Sequence, residues 1–448
     1  MKLKTFAQGI HPPYNKKTVN LSIEEAVYPH NVIIPLHQHT GATCEPLVKV
    51  GDEVVEGQKI GDSAKFISAA VHASISGKVT KIEKMLHPCG VEVLSVVIEG
   101  SNSSTVVQRD SSAGEEKKNK TVDGLSPEEI RQIVKEAGIV GLGGAAFPAH
   151  VKLSPPKDKK IDTILVNGCE CEPYITADHR IMLERTADLL VGAELVAKAT
   201  GATRVLVGVE DNKHDAVLQL KTEIRKRHFT NLPDGIEVVT LETKYPQGGE
   251  KMLIKAVLNR EVPSRGLPLD VGVVVVNVGT AVAITEAVRD GKSLIKRVVT
   301  ITGSGIKEPK NLLVRIGTSF KDIVEQCGGL TADAYKIVMG GPMMGAPQLS
   351  LEVPVVKATS CILVLSKSEV KEDQIFPCVK CGRCVDHCPM SLLPTRLAAY
   401  ANNANYSEFE EWGGQDCIEC GCCTYVCPAQ IPIVHWVKLA KLKLRQMK

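Results

Sequence analysis

The sequence predicts a multidomain protein of mixed α/β and α+β class, and three observations carry that prediction. The chain has 448 residues, more than one ordinary hydrophobic core accommodates. Between residues 161 and 260 short apolar strands alternate with amphipathic helices, the pattern of a mostly parallel sheet covered by helices. Nine of the fifteen cysteines fall in two short stretches, "CVKCGRCVDHCP" (378–389) and "CIECGCCTYVCP" (417–428), which repeat one spacing.

Residues 1–100 read as an all-β domain. "VKVGDEVVEGQKIGD" alternates valines with turn residues, and "VHASISGKVTKIE" follows as a second hairpin-like segment. Its turn, Gly51-Asp52-Glu53-Val54-Val55-Glu56-Gly57-Gln58, resembles that of the barrel-sandwich lipoyl and biotinyl domains. Lys65 in "SAKFIS" is the nearest counterpart of their modified lysine, and it follows Ala64 rather than an acid, so an unmodified scaffold is expected. Residues 101–124, rich in Ser, Asn and mixed charge, read as a linker. Beyond them "LSPEEIRQIVKEAG" opens a helix, with Ser126 at the N-cap, Pro127 in the first turn and Glu129 at capping-box spacing.

Residues 125–260 form the α/β domain. "IDTILVN", "TRVLVGVE" and "IEVVTLE" read as strands, and "ERTADLLVGAELVAKATG", "NKHDAVLQLKTEIRKRH" and "GEKMLIKAVLN" as helices. Ligands of such a sheet belong at the C-terminal ends of its strands. Residues 261–345 read as a small β-rich domain with one helix near "FKDIVEQCGG", followed by a connector over 346–370. The run "VGVVVVNVGTAVAI" (271–284) reads as buried strands; it is broken by Asn277 and two glycines and is short of the ~20 apolar residues a membrane span needs. Residues 371–432 carry the cysteine motifs. The tail, 433–448, repeats Ile433, Val437, Ala440, Leu444 and Met447 at helical spacing opposite Lys438, Lys441, Lys443 and Arg445. Such a helix can lie on anionic lipid, dock a partner, or pack on the preceding domain.

A net charge of +3 with 4% aromatic residues gives no support to nucleic-acid binding. The N-terminus has no apolar signal region, so a reducing compartment is expected, where clustered cysteines are metal ligands rather than disulfides. Both motifs read C-x2-C-x2-C-x3-C-P, the bacterial two-cluster ferredoxin run, in which the fourth cysteine serves the other cluster. One [4Fe–4S] cluster is therefore assigned to Cys378, Cys381, Cys384 and Cys427, and the other to Cys417, Cys420, Cys423 and Cys388. Zinc sites use separated pairs closing on one tetrahedral ion, which this duplicated run is not. His37, His39 and His72 have no such partner pattern and read as structural.

Two clusters need only about sixty residues as a ferredoxin domain; the rest of the chain has another task. In "GIVGLGGAAFPAHVKL" (138–153), Gly141, Gly143 and Gly144 permit close approach of backbone to a phosphate, and Lys152 can supply positive charge. The loop follows a helix rather than a strand, so it is not the dinucleotide fingerprint. On its own it is as compatible with a plain turn.

"GLGGAAFPAHVK" followed by "VNGCECEPYITADHR" resembles the flavin-binding core of the NADH-oxidising subunit of respiratory complex I, with its G-R-G-G-A-G-F-P-x-G-x-K loop and N-A-D-E-x-E-P segment. With "PLHQHTGA", "VHASISGKV" and the double cluster motif, the whole chain resembles the RnfC components of the Rnf complexes, ferredoxin:NAD oxidoreductases that pump ions. The resemblance implies a complex-I-like FMN/NADH-binding α/β domain, a soluble-ligand-binding β-grasp-like domain over 261–345, and a C-terminal ferredoxin domain. It implies FMN phosphate at Gly141, Gly143 and Gly144 near Lys152, Asn167 at the isoalloxazine, and Glu170 and Glu172 as the family's two acids. It places Tyr245, Gly248 and Glu250 of "YPQGGEK" beside flavin and nicotinamide, with Asn277 and Thr280 of "VNVGT" in a later flavin-contacting segment. Glu170, Glu172 and Glu250 are thus the expected catalytic acids. Leu142, Ala146 and Cys169 depart from the family's arginine, glycine and aspartate, which bears on NADH handling more than on FMN.

The implied activity exchanges electrons between NAD(H), through FMN, and the two clusters. The implied partners are the other components of a membrane complex and ferredoxin or a ferredoxin-like subunit. The implied place is peripheral, on the cytoplasmic face of the cell membrane, with no transmembrane helix. Two other readings stand beside it: a soluble flavin/iron–sulfur reductase such as the cobalamin reductases, and a flavin-free relay or scaffold. In the cobalamin reductases the barrel-sandwich element follows the clusters; here it precedes them. Cys422 falls outside both repeats and reads as a small packed residue. Replacing it, Cys422→Ser, is expected to leave the iron content of the reconstituted protein unchanged; loss of a cluster on iron analysis would overturn the ligand assignment.

Overall fold

The computed structural model describes residues 3–100, 124–229, 232–370 and 374–447. The linker expected over 101–124 lies, but for Gly124, outside the described residues. Residues 31–100 form two small antiparallel sheets, one built mainly of the long hairpin Gly77–Leu86 and Glu92–Gly100, the other of Glu45–Pro46, Lys59–Asp62 and Val71–His72. Alternate residues such as Val32, Ile34, Ile60, Ile75, Val79, Val96 and Ile98 close into one core between them. The helix Pro127–Glu136 begins as its sequence dictates, with the reciprocal Ser126–Glu129 capping box.

Four parallel strands form the central sheet, in the order Ile236–Leu241, Arg204–Glu210, Thr163–Asn167 and Val273–Asn277. They are nearly continuous apolar runs because both faces are covered. Ile164, Val166, Val205, Val207, Val274 and Val276 pack with the helices Thr186–Thr200 and Val278–Asp290, while Leu165, Leu206 and Val275 pack with Glu250–Leu258 on the other side. The run 271–284 therefore differs from expectation: it is one strand, Val273–Asn277, followed by a helix that Asn277 caps through the amides of Gly279 (2.8 Å) and Thr280 (3.4 Å). Pairing of that strand with Thr163–Asn167 carries the α/β domain past 260 to the end of the helix at Asp290.

The following domain has a six-stranded sheet that also recruits Ile23–Glu25 from the N-terminal region. Its helix Phe320–Gln326 packs on Val299, Ile301 and Val364. The stretch expected as a connector contains an inner strand of this sheet, Cys361–Ser366, between Lys296–Thr302 and Ala334–Met339. The C-terminal domain repeats itself in backbone as well as sequence. Lys380 and Glu419, Gly382 and Gly421, and Ser391 and Gln430 all take positive φ, and the short helices Arg383–Asp386 and Cys422–Tyr425 occupy matching places.

The tail forms the helix Ile433–Met447. Its apolar stripe, Val437, Ala440 and Leu444, is buried against Leu397, Ala401 and Phe409 of the preceding helices, whereas Met447 is exposed. Of the three roles open to an amphipathic helix, packing on the ferredoxin-like domain is the one seen. Leu444→Ala is expected to destabilise this domain by about 2–3 kcal/mol, read as an earlier loss of cluster absorbance in denaturant, while exposed Leu442→Ala changes little. Equal behaviour of the two variants would show that the stripe does not hold the domain.

Candidate electron-transfer site

The chain order of the parallel sheet reverses between Thr163–Asn167 and Val273–Asn277, and Asn167 and Asn277 end these strands directly opposite each other. A crevice at such a switch point is where open α/β sheets bind ligands. The glycine loop lies over it. A Cβ on Gly143 would stand 2.7 Å from Asn277 Nδ2, so only glycine permits this approach. Thr280 Oγ1 accepts the amide of Leu142 (2.9 Å) and donates to the carbonyl of Val140 (3.2 Å), pinning the loop to the start of the capped helix. Asn167 Nδ2 donates to the carbonyl of Gly248 (2.8 Å), which brings in the segment 245–250. A Cβ on Gly248 would lie 3.3–3.4 Å from Cys169, Asn167 and Cys171, again a close approach.

The structure thus gathers Gly143, Asn167, Gly248, Asn277 and Thr280 around one crevice. Gly144 is exposed beside Gly143, with nothing within 4 Å of where its Cβ would stand. The Gly141 amide, by contrast, is already donated to the carbonyl of Phe147 (2.9 Å). Lys152 pairs with Glu250 at 2.8 Å and reaches the carbonyl of Val275 (3.3 Å), so both lie at the edge of the same sheet end.

Other expected residues are engaged elsewhere. The Glu170 carboxylate accepts the amides of Asp178 (2.6 Å) and His179 (3.2 Å) at the start of the helix Ala177–Glu184. That of Glu172 accepts the amides of Met343 (3.2 Å) and Met344 (2.9 Å) from the neighbouring domain, and burial pushes it up to about 7. Tyr245 is buried and donates its hydroxyl to the carbonyl of Cys420 (2.7 Å). It faces the cysteine motifs and not the crevice.

Residues that sequence reasoning missed complete the surroundings. Lys16 donates to the carbonyls of Glu170 (2.8 Å), Glu172 (3.1 Å) and Ile175 (2.6 Å), holding the acidic segment in place; burial lowers it to about 8. Asp178 accepts from Asn277 Nδ2 (2.6 Å), and burial, with Glu170 nearby, pushes it up to about 7. Asp178 lies inside "VNGCECEPYITADHR", but the part each of these two plays is found only by its contacts.

Cys388, Cys417, Cys420 and Cys423 line one cavity together with Cys422, and Leu397, Ile433 and Val437 close it. Among the described residues no three His, Cys, Asp or Glu side chains converge as they would on a single ion. Thiols spread around the wall of a cavity instead suit a cubane, and of the five present the C-x2-C-x2-C-x3-C spacing selects Cys388, Cys417, Cys420 and Cys423. Cys388 of the first motif stands in this wall among the cysteines of the second. Backbone amides two residues on, at Lys380 and Glu419, point at the sulfurs of Cys378 and Cys417 (3.4 Å each). Cys378 and Cys381 are exposed, whereas Cys420 and Cys423 are buried. Cys422 is fully buried and packs with Ile10, Tyr245 and Cys420 at the seam between the two domains.

Residues 4–103 match the RnfC barrel sandwich hybrid domain, 134–286 the Nuo51 FMN-binding domain, 298–347 the SLBB domain, and 370–431 the 4Fe-4S dicluster domain. The chain is 46% identical to the RnfC component of the proton-translocating ferredoxin:NAD(+) oxidoreductase complex of Clostridium ljungdahlii, over 99% of this chain and 94% of that protein. It is 44% identical to the corresponding component of the Na(+)-translocating ferredoxin:NAD(+) oxidoreductase complex of Acetobacterium woodii, over 99% and 98%. A solved NAD+-reducing [NiFe]-hydrogenase shares the fold over 72% of this chain and 62% of its own, with a TM-score of 0.51 at 19% identity. The chain belongs to the RnfC family, the components of the ion-translocating ferredoxin:NAD+ oxidoreductase complexes that carry this domain series.

Proposed function

We propose that this chain is the peripheral subunit that exchanges electrons between NAD(H) and two [4Fe–4S] clusters, through FMN, in a membrane-bound ion-translocating complex, on its cytoplasmic face. The observation that carries the reading is the junction at Tyr245. It joins the domain of the switch-point crevice to the cavity that holds Cys388, Cys417, Cys420, Cys422 and Cys423 through one buried hydrogen bond of 2.7 Å. Hydride brings two electrons together and a cluster takes one at a time, and bound FMN supplies the chemistry that converts between them.

This chain's own residues bind, orient and exclude water. The amides of Gly143 and Gly144 and the ammonium of Lys152 are suited to a phosphate. Asn167, Asn277 and Thr280 fix the loops that wall the crevice, and Gly248 lets the segment 245–250 pack close against Asn167 and Cys169 beside them. Glu250, at the start of the helix Glu250–Leu258, is held by Lys152 at the rim where a nicotinamide nucleotide would enter. Glu170 and Glu172 shape the acidic segment by accepting backbone amides, and act as positioning residues. The set Cys388, Cys417, Cys420 and Cys423 lies against the crevice domain. The set Cys378, Cys381, Cys384 and Cys427 lies toward the exposed side, where a partner's redox centre could approach. No helix among the described residues is long and apolar enough to cross a membrane, in keeping with a peripheral subunit beside other, spanning ones.

Anaerobically reconstituted full chain is expected to hold about one FMN and eight irons, by flavin fluorescence and iron analysis. NADH should bleach its flavin absorbance. Protein that binds iron but no flavin would favour a relay or scaffold and overturn the proposal. Retained flavin that NADH leaves unbleached would remove NAD(H) exchange from it.

A further inference from the structure

The glycine loop is gripped from both sides by domains other than its own. Arg297, on the strand Lys296–Thr302 of the β-grasp-like sheet, donates from Nη2 to the carbonyl of Leu142 (3.4 Å) and from Nη1 to that of Lys357. Thr40, from the N-terminal β domain, donates from Oγ1 to the carbonyl of Ala145 (2.7 Å) and from its amide to that of Ala146 (3.3 Å). In a trans peptide the carbonyl and the following N–H point in opposite directions. Drawing the Leu142 carbonyl down onto Arg297 therefore turns the Gly143 N–H up and away. Gly143, Gly144 and Ala145 are exposed, and among the described residues the amides of Gly143 and Gly144 donate to no protein group.

Charge points the same way. Arg297 and Lys357 are both buried, and neither forms an ion pair among the described residues. Lys357 Nζ is held by the carbonyls of Ala70 (2.7 Å) and Gly138 (2.6 Å), at the foot of the same loop. The carboxylate that Arg297 feels is Asp178, itself buried and engaged by Asn277. Asp178 offsets part of the Arg297 charge and burial lowers Lys357 to about 8, and the positive charge that remains beneath outward amides favours an anion.

We infer that Arg297 and Thr40 are positioning residues for the phosphate end of the flavin: Arg297 holds the Leu142 carbonyl inward, so that the Gly143 amide meets the phosphate, and Thr40 anchors the far end of the same loop at Ala145 and Ala146. The inference rests on the flavin reading above. Its test is titration of FMN and of riboflavin, which lacks the phosphate, into deflavinated full-length chain, followed by quenching of flavin fluorescence. Arg297→Gln is expected to weaken FMN by about tenfold and riboflavin by less than about twofold, while Arg297→Lys, keeping the charge, retains most of the FMN affinity. Should Arg297→Gln fail to fold, Thr40→Val at the exposed rim is expected to weaken FMN about threefold, again sparing riboflavin. Unchanged FMN affinity, or equal weakening of both flavins, overturns the inference. Failure of the native chain to bind FMN would overturn the flavin reading itself.

Discussion

A buried hydrogen bond from the Tyr245 hydroxyl to the carbonyl of Cys420 holds the two functional halves of the molecule in one register. Tyr245 also exchanges both backbone hydrogen bonds with Ile10 and sits in an apolar cluster with Ile10, Cys420 and Cys422. Electron transfer weakens steeply with distance, so two redox sites are useful only when a rigid contact fixes their separation. This seam provides one, and it gives Cys422 a place: a small side chain at the contact, in the wall of the cavity. The extended N-terminal segment is thus part of the joint between the crevice domain and the cysteine motifs.

The crevice depends on a second constraint. A parallel sheet creates a switch point only where the chain reverses order, and here that requires Val273–Asn277 to return beside Thr163–Asn167. The glycine loop cannot hold its shape over that crevice alone, because its carbonyls need donors. Thr280 supplies one from within the domain, Thr40 and Arg297 from the flanking domains. The barrel-sandwich and β-grasp-like domains therefore act on the site they flank, as well as packing around it.

Much of this was legible in the sequence because its signals are local. Ser126 and Glu129 cap their helix as their spacing requires, and the strands ending at Asn167, Glu210 and Leu241 follow the apolar runs. The cysteine spacing grouped Cys388 of the first motif with Cys417, Cys420 and Cys423 of the second, and all four line one cavity. What was not legible depends on long-range contact. Nothing local in "VVVVN" says that it joins a sheet begun 110 residues earlier at Thr163 rather than a new domain. Arg297 sits in an ordinary strand, "KRVVTIT", and only the fold brings it under the loop. Tyr245 and Glu172 belong to segments that resemble flavin-site motifs, yet tertiary packing turns one toward Cys420 and the other toward Met343 and Met344. The tail helix could have served lipid or protein until Val437 and Leu444 were seen buried.

The central claim is that electrons pass from the crevice across the Tyr245 seam into the cysteine-bound clusters. Its most direct test is an anaerobic NADH titration of the reconstituted full chain followed by EPR. Signals of reduced [4Fe–4S] clusters that grow in step with flavin bleaching are the predicted result. Flavin that bleaches fully while both clusters stay oxidised and EPR-silent, though dithionite reduces them, would contradict the account.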